Sequence, residues 1–484
     1  MIPPTVIPVR HGSDRRAPGT AAAVEGEVGL ASGRPGRAAG IGVVVWAGLV
    51  ATSVVVGARV VADRPDMAIN AAPVVGRWDW HPSLGLLPAV VLGLAVVVAG
   101  PRLVARMSWG TVLVVAAVVA VLWPMLLAGA DGLAAIGAPL GTRYEYLPVA
   151  ADLDDPTAFL RDYVNTLGDQ PTHVRGHPPG PVLALHALDR LGLGGEGWAA
   201  ALVLAAWGAG AAAVLAAARA VAGIECARRA APFVALVPGA VWAGTSMDAL
   251  FGGVAAVGIA LVVLGLVAPA TSRRRADAVA LAGGVVLGIA LHLTYGAVPL
   301  LVIPAVVAWR WRRARPVVVA VAGVAAVTGA FVAGGFWWFD GLAATRLEYE
   351  TGLARLRPYG YFTALGNPGA LALAVGPAVA AGLAALAVTA WRRRWQPSDD
   401  RGRRRWIDAV PAIALLPGAA VVAVLAADLS GLSKGEVERI WLPFVPWLAL
   451  AAGAVAVTAR RASVFLGAQV VLAVALQAGL LSPW

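Results

Sequence analysis

Thirteen apolar runs, separated by short arginine-bearing or polar segments, constrain this 484-residue chain more than any other feature. They lie at roughly 41–61, 84–100, 111–130, 197–219, 230–246, 249–269, 277–294, 296–309, 316–338, 368–391, 407–427, 440–458 and 463–481. A helix needs about 20 apolar residues, with a range of about 17 to 25, to cross the hydrocarbon of a bilayer. The 296–309 run is short, which places a turn near Tyr295 at membrane depth. No alternation of polar and apolar residues recurs in segments of about ten, so a transmembrane barrel is excluded. Charged residues make up 13% of the chain, against about 25% in soluble domains. The expected fold is therefore an all-α, polytopic membrane helical bundle of about 13 transmembrane helices.

The arginines orient the bundle. With the N-terminus in the cytoplasm and the runs alternating in direction, the inner segments hold 26 of the 38 basic residues, although they are the shorter ones. The acids divide the other way, 19 outside and 8 inside. Short cytoplasmic loops carry such an excess of Lys and Arg. The net charge of +11 is thus topological, and a nucleic-acid partner is not indicated. Residues 1–40, rich in Gly, Pro, Ala and Arg, read as a disordered basic cytoplasmic tail. With Cys226 as the one cysteine, no intramolecular disulfide is possible. The inner loops are arginine clusters with no GxxxxGK[ST] motif. The unusual polar residues all fall in the outer segments 62–83, 131–196, 339–367 and 428–439 and in the turns near 246–248 and 292–295. The expected location is the plasma membrane, multi-pass, with the chemistry on the outer side.

The richest of these segments is GTRYEYLPVAADLDDPTAFLRDYVNTLGDQPTHVRGHPPGPVLALHALD, residues 141–189. Within it, PTAFLRDYVNTL (156–167) carries Phe159, Leu160, Tyr163, Val164 and Leu167 at helical spacing, with Asp154 or Asp155 as its cap. PVLALHALDRLGL (181–193) is a second amphipathic piece. Both are too short to span and read as helices lying at the membrane surface. HVRGHPPGP lies between them, and its prolines and glycines argue against a helix there.

An outer loop with an acid beside tyrosines (Tyr144-Glu145-Tyr146), a juxtamembrane helix, a His-Pro-Pro turn (His177-Pro178-Pro179), a second juxtamembrane helix and further spans follow one another from residue 111 onward. This layout resembles the GT-C superfamily of integral-membrane glycosyltransferases. The resemblance divides the chain into the tail, two additional helices at 41–110, and a GT-C-like domain at 111–484 whose outer catalytic loop is 131–196. It implies an inverting transfer from a polyprenyl-phosphate-linked sugar donor to a glycan, lipid or protein acceptor. Such a transfer needs an acidic base and cations that hold the leaving phosphate.

Glu145 is the candidate base. At the membrane boundary it would be partly desolvated, and desolvation makes a carboxylate a better proton acceptor. Asp131, Asp154 and Asp155, or Asp66 and Asp79 of the preceding outer segment, are alternatives. Arg175, His177, Lys434 and Arg439 are candidates for the donor phosphate, Arg for bidentate contact and Lys for a point charge. Ordinary snorkelling at the boundary would also account for Lys434 and Arg439, but Lys434 is the chain's single lysine and lies on the outer side. Tyr144, Asp154, Asp155, His173, Asp248, His292, Tyr295, Arg346, Tyr349, Glu436 and Glu438 are further candidates for substrate contact. Asp248 could instead cap a helix, and the 339–367 segment could be either a lid or a surface helix with internal ion pairs. No set of side chains has metal-ligand spacing. No cofactor is expected, beyond a divalent ion held by Glu145 and another outer acid. The competing reading, a transporter or flippase of a lipid-linked or small polar substrate, predicts ionisable groups in mid-span, broken helices and an internal repeat. The sequence shows no convincing repeat, and the middles of its spans are almost free of charge.

Overall fold

The structure, a computed structural model, describes residues 34–394 and 406–484. The tail expected over 1–40 therefore lies outside the described residues except for its end, and Arg401 and Arg403 to Arg405 do too. Arg34–Asp63 is already the first long helix. Ten helices among the described residues are long and apolar enough to cross a membrane. Val44 (72%), Val91 (65%), Val318 (65%) and Val471 (69%) are exposed on their outer surfaces. Exposure of that kind would be costly in water and suits lipid. The chain is an all-α, multi-pass membrane protein.

Three of the thirteen apolar runs form no helix long enough to cross a membrane. The 230–246 run is split into Ile224–Ala235 and Ala240–Ala243. The 440–458 run is split into Val437–Ile440, Leu442–Phe444, Val445–Ala449 and Leu450–Ala454. The short 296–309 run becomes two 3-10 turns followed by Val302–Trp311. Each contains prolines, at 232 and 238, at 443 and 446, and at 299 and 304. Proline lacks the N–H and clashes with the preceding turn.

A broken backbone inside lipid must find hydrogen bonds elsewhere, and these segments do. Gly239 N–H donates to Ala374 O (2.7 Å), and Trp123 Nε1 donates to Val237 O (3.3 Å). The helix Asn367–Arg394 is itself interrupted at Gly376, whose φ of 76° suits only glycine in an apolar helix, just before Pro377. The buried side chain of Gln469 spans that break. Its Nε2 donates to Val375 O (2.8 Å), and its Oε1 accepts from Ala378 N–H (3.3 Å). Elsewhere the bundle closes by small residues: a Cβ on Gly253 would lie 2.1 Å from Ala206 O, so Met247–Val267 packs directly on Glu196–Ala222.

The two ends of the bundle differ as the charge pattern predicts. At one end arginines satisfy the carbonyls that helix C-termini leave open. Arg228 donates to Ala105 O and Met107 O, Arg313 to Leu266 O and Ala268 O, and Arg315 pairs with Asp277. At the other end the long polar segments meet one another. Gln477 donates to Asp131 (3.0 Å), and Arg77–Trp78 pairs antiparallel with Leu480–Leu481. The amphipathic stretches form Pro156–Asp162 and Gly180–Arg190. Asp155 caps the first, accepting from Thr157 N–H and Ala158 N–H. HVRGHPPGP does contain one helical turn, Thr172–Arg175, which ends at Gly176 before the prolines.

Candidate active site

Glu145 stands in extended backbone just before the short helix Tyr146–Ala151 but does not cap it. Its side chain turns inward, and Oε1 lies 2.5 Å from His173 Nδ1. The one-turn helix Thr172–Arg175 delivers His173 to that position, and His173 N–H donates to Tyr144 O (3.0 Å). Glu145 is buried, and its Oε2 has no hydrogen-bond partner.

On its other side the His173 ring meets Arg439, with Nε2 3.0 Å from Arg439 Nη2. These partners set the tautomer. The carboxylate accepts from Nδ1–H, and the Nε2 lone pair accepts from the guanidinium. Arg439 also donates from Nη1 to Asp248 Oδ2 (2.7 Å) and from Nη2 to Glu436 Oε2 (2.9 Å). Burial works against the charge of Arg439, but Asp248 and Glu436 outweigh it and hold its pKa above the usual guanidinium value. Ser246, not Asp248, caps the helix Met247–Val267. The Ser246 hydroxyl donates to Asp248 Oδ2 (2.9 Å), which frees Asp248 to face the arginine.

Glu436 is shared between two arginines, because Arg357 Nη2 donates to its Oε1 (2.9 Å). Burial disfavours its charge, yet Arg439 and Arg357 bring its pKa down to about 2. Its φ of 62° is unusual for a residue with a Cβ, and the preceding Gly435 is also left-handed, at 82°. The loop is pinned in this shape from both sides. Arg357 Nη1 donates to Lys434 O (2.8 Å). Asn367 donates to Asp428 Oδ1 (2.8 Å) and Ser433 O (2.6 Å) and accepts from Gly435 N–H (3.1 Å). Asn367 follows a π-helical turn, Phe362–Gly366, a distortion frequent at functional sites. Glu438 faces away from Arg439's partners and accepts Val75 N–H (2.8 Å) at Oε1. Complete burial lifts its pKa to about 7, and its Oε2 has no partner.

A layer of aromatic and imidazole groups supports the cluster. His177 Nδ1 lies 2.7 Å from Tyr146 OH and 2.9 Å from His173 O. Burial lowers the His177 pKa, so the ring is held neutral. Burial and then Glu145 raise that of Tyr146. Tyr163 OH donates to His177 O (2.7 Å) and Val174 O (2.9 Å), fixing the His-Pro-Pro turn on the juxtamembrane helix.

Glu145, His173, Asp248, Glu436 and Arg439 are thus brought together from three outer segments, with Glu438 and His177 adjacent. The remaining candidates lie elsewhere. Arg175 pairs with Glu348 (3.2 Å) at a part-exposed position, and Arg346 pairs with Glu350 (2.6 Å) on the helix Trp338–Thr351, a surface helix with an internal ion pair. Tyr144 is exposed and accepts from Arg143 (2.7 Å). Asp154 is exposed, Asp155 is spent on its cap, and Asp79 pairs with Arg77. Lys434 holds its Nζ 5.6 Å from the Tyr349 ring. Burial first, and then Arg357, lower its pKa. His292 is buried and stacked on Phe331 at 4.0 Å, and Tyr295 packs edge-on against Trp338. Arg357, Asn367, Asp428, Tyr163 and Trp484 have places around the cluster that sequence reasoning did not assign.

Asp248, Glu436 and His173 converge on the Arg439 guanidinium rather than on an open point. Among the described residues no group of three or more His, Cys, Asp or Glu side chains is placed to hold a metal ion. A cavity of about 260 Å³ lies on the far side of Tyr146–Ala151, lined by Leu147, Pro148, Leu185, Asp189 and Glu196 among others, and Glu145 does not line it.

Fold and site together define a multi-pass helical membrane protein with a buried carboxylate–histidine–arginine cluster at one end. No family model matches the chain, and no curated protein matches it. Among solved structures it is similar to the crystal structure of ArnT from Cupriavidus metallidurans bound to undecaprenyl phosphate. The identity is 18%, the TM-score 0.38, and the match covers 64% of this chain. The chain spans 58% of the length of that protein.

Proposed function

We propose that the chain is a membrane glycosyltransferase. It moves a sugar, with inversion, from a polyprenyl-phosphate donor to an acceptor hydroxyl at the outer face of the membrane. One observation carries the reading: Glu145 is a buried carboxylate with Oε1 held by His173 and Oε2 unpartnered, and His173 in turn touches Arg439. In the reaction Glu145 Oε2 takes the proton of the acceptor hydroxyl. The acceptor oxygen forms its bond to the anomeric carbon as the bond from that carbon to the phosphate oxygen breaks. The electron pair leaves on the phosphate. Arg439, with Arg357 joined to it through Glu436, stabilises the departing charge. His173 positions the base, and Asp248 and Glu436 position the guanidinium. The arginine-rich end then faces the cytoplasm and the cluster faces outward, in keeping with the positive-inside rule.

The test is transfer from a polyprenyl-phosphate-linked sugar in proteoliposomes, read as loss of sugar from the lipid in the presence of acceptor. Glu145→Gln should lower the rate at least about 100-fold, the lower end of what a general base contributes. Full activity in that variant moves the base elsewhere.

The broken segments Ile224–Ala243 and Val437–Ala454 favour a second reading, transport of a lipid-linked substrate, since transporters bind substrates at interrupted helices. The middles of those segments hold Trp242, Phe444 and Trp447, and the buried ionisable groups Glu438 and Arg439 stand at the start of the second segment, in the cluster already described. Transbilayer movement of a fluorescent lipid that is unaffected by Glu145→Gln would decide for transport.

A further inference from the structure

Trp484 packs against the cluster from the C-terminal segment. Its indole sits 4.5 Å from the Arg439 guanidinium carbon and meets the His173 ring edge-on at 6.2 Å. Glu145, Arg439 and the His173 side chain are all nearly inaccessible, whereas Trp484 is only partly buried. The indole therefore covers one side of Arg439 and His173. It is an incomplete partner: the Trp484 Nε1–H is buried with no acceptor, and so is the Nε–H of Arg439 beneath it. Two orphaned donors facing one ion-paired centre are what an anion with several oxygens would satisfy.

The segment that carries the indole is lightly held. His81 N–H and Asp79 N–H donate to Ala478 O and Gly479 O (2.8 and 2.9 Å), and Leu480–Leu481 pairs with Arg77–Trp78. Beyond that pairing the backbone bond is Trp484 N–H to Ser482 Oγ (3.4 Å), internal to the strap. Glu438, Asp248 and Arg357 are anchored by bonds to Val75, Ser246 and Met67.

We infer that Trp484 is a ligand-contacting residue and the movable wall of this site, holding the Arg439 guanidinium until a phosphate-bearing headgroup replaces it. The inference rests on the proposed donor site. A cation–π contact is weaker than an arginine–phosphate pair, so the headgroup can displace the indole. The apparent affinity of the closed protein is reduced by the fraction of molecules in which the indole is away.

The experiment compares binding of a short-chain polyprenyl phosphate and of inorganic phosphate to the full chain in nanodiscs, by isothermal titration. Proteins used are the wild type, Trp484→Ala, Trp484→Phe and Arg439→Gln. The expected result is tighter binding by Trp484→Ala, by roughly three- to tenfold, with Trp484→Phe between it and the wild type. Arg439→Gln should lose binding. A gain with the lipid phosphate alone assigns the site to a lipid headgroup; a gain with both probes assigns it to the phosphate group itself. If Arg439→Gln loses binding but Trp484→Ala binds no better than wild type, the wall is overturned and the donor site stands. If Arg439→Gln binds as the wild type does, the donor site itself fails.

Discussion

Glu145 and His173 are 28 residues apart in the chain and 2.5 Å apart across the site. The distance is that of a short, charge-assisted hydrogen bond, and both side chains are withdrawn from solvent. The pair fixes which carboxylate oxygen is engaged and leaves the other free. His173→Ala should therefore lower the transfer rate less than Glu145→Gln does, because it removes orientation and not the base. A rate lowered as much by His173→Ala as by Glu145→Gln would make the histidine the proton acceptor. Comparing the two variants' rates across pH separates these roles.

Arg439 holds three partners through a planar fork, which a lysine cannot reproduce. Arg439→Lys should abolish transfer. It should also destabilise the fold by about 3–5 kcal/mol, the usual consequence of leaving buried carboxylates unmatched. Asp248→Asn should be milder, because its side-chain oxygen still accepts from Nη1. Thermal unfolding in detergent, with and without donor lipid, measures both.

The pH dependence of stability has two opposing sources. Glu436, depressed to about 2, stabilises the fold above the ordinary carboxylate range. That contribution is lost as pH falls toward 2. Glu438, raised to about 7, does the reverse. Its carboxyl is protonated in the fold, so stability declines as pH rises from the carboxylate range to about 7 and then levels off. Glu438→Gln should remove that decline, stabilising the protein at pH 8 by on the order of 3 kcal/mol relative to its effect at pH 4. Unfolding midpoints at the two pH values check this, and an equal shift at both would contradict it.

Gln469 is the one side chain that repairs the break at Gly376 from both directions. Gln469→Leu should cost about 1–3 kcal/mol by leaving Val375 O and Ala378 N–H unpaired in an apolar interior. Gln469→Glu should be no better, since a carboxylate cannot donate to Val375 O. Unfolding in detergent reads the loss.

Much of the bundle is visible in the sequence because lipid enforces a simple rule: an apolar stretch of sufficient length becomes a helix. Ten runs obey it. The exceptions are the runs at 230–246, 296–309 and 440–458, where hydropathy reports burial and not continuity; the same composition describes a straight span and Val437–Ala454. The site is legible in part. Glu145, His173, Asp248, Glu436 and Arg439 stand out as polar groups in the outer segments, but so do Arg175, Asp154 and Arg346. Only the packing separates the first set, which is joined in one hydrogen-bonded cluster, from the second, whose side chains are part-exposed or exposed and stand outside it. Arg357 and Trp484 had no signal at all. One is an arginine among five charged neighbours in its segment, and the other gains its place through the strand pairing of Leu480–Leu481 with Arg77–Trp78.

The most direct test is a density map of the protein in lipid nanodiscs with a polyprenyl phosphate added. The account predicts a phosphate headgroup within hydrogen-bonding distance of Arg439, open space for an acceptor hydroxyl beside Glu145 Oε2, and the acyl chain lying between helices. A map in which that space stays closed, and a polar passage runs through the bundle along the broken segments Ile224–Ala243 and Val437–Ala454, would contradict it and identify the chain as a transporter.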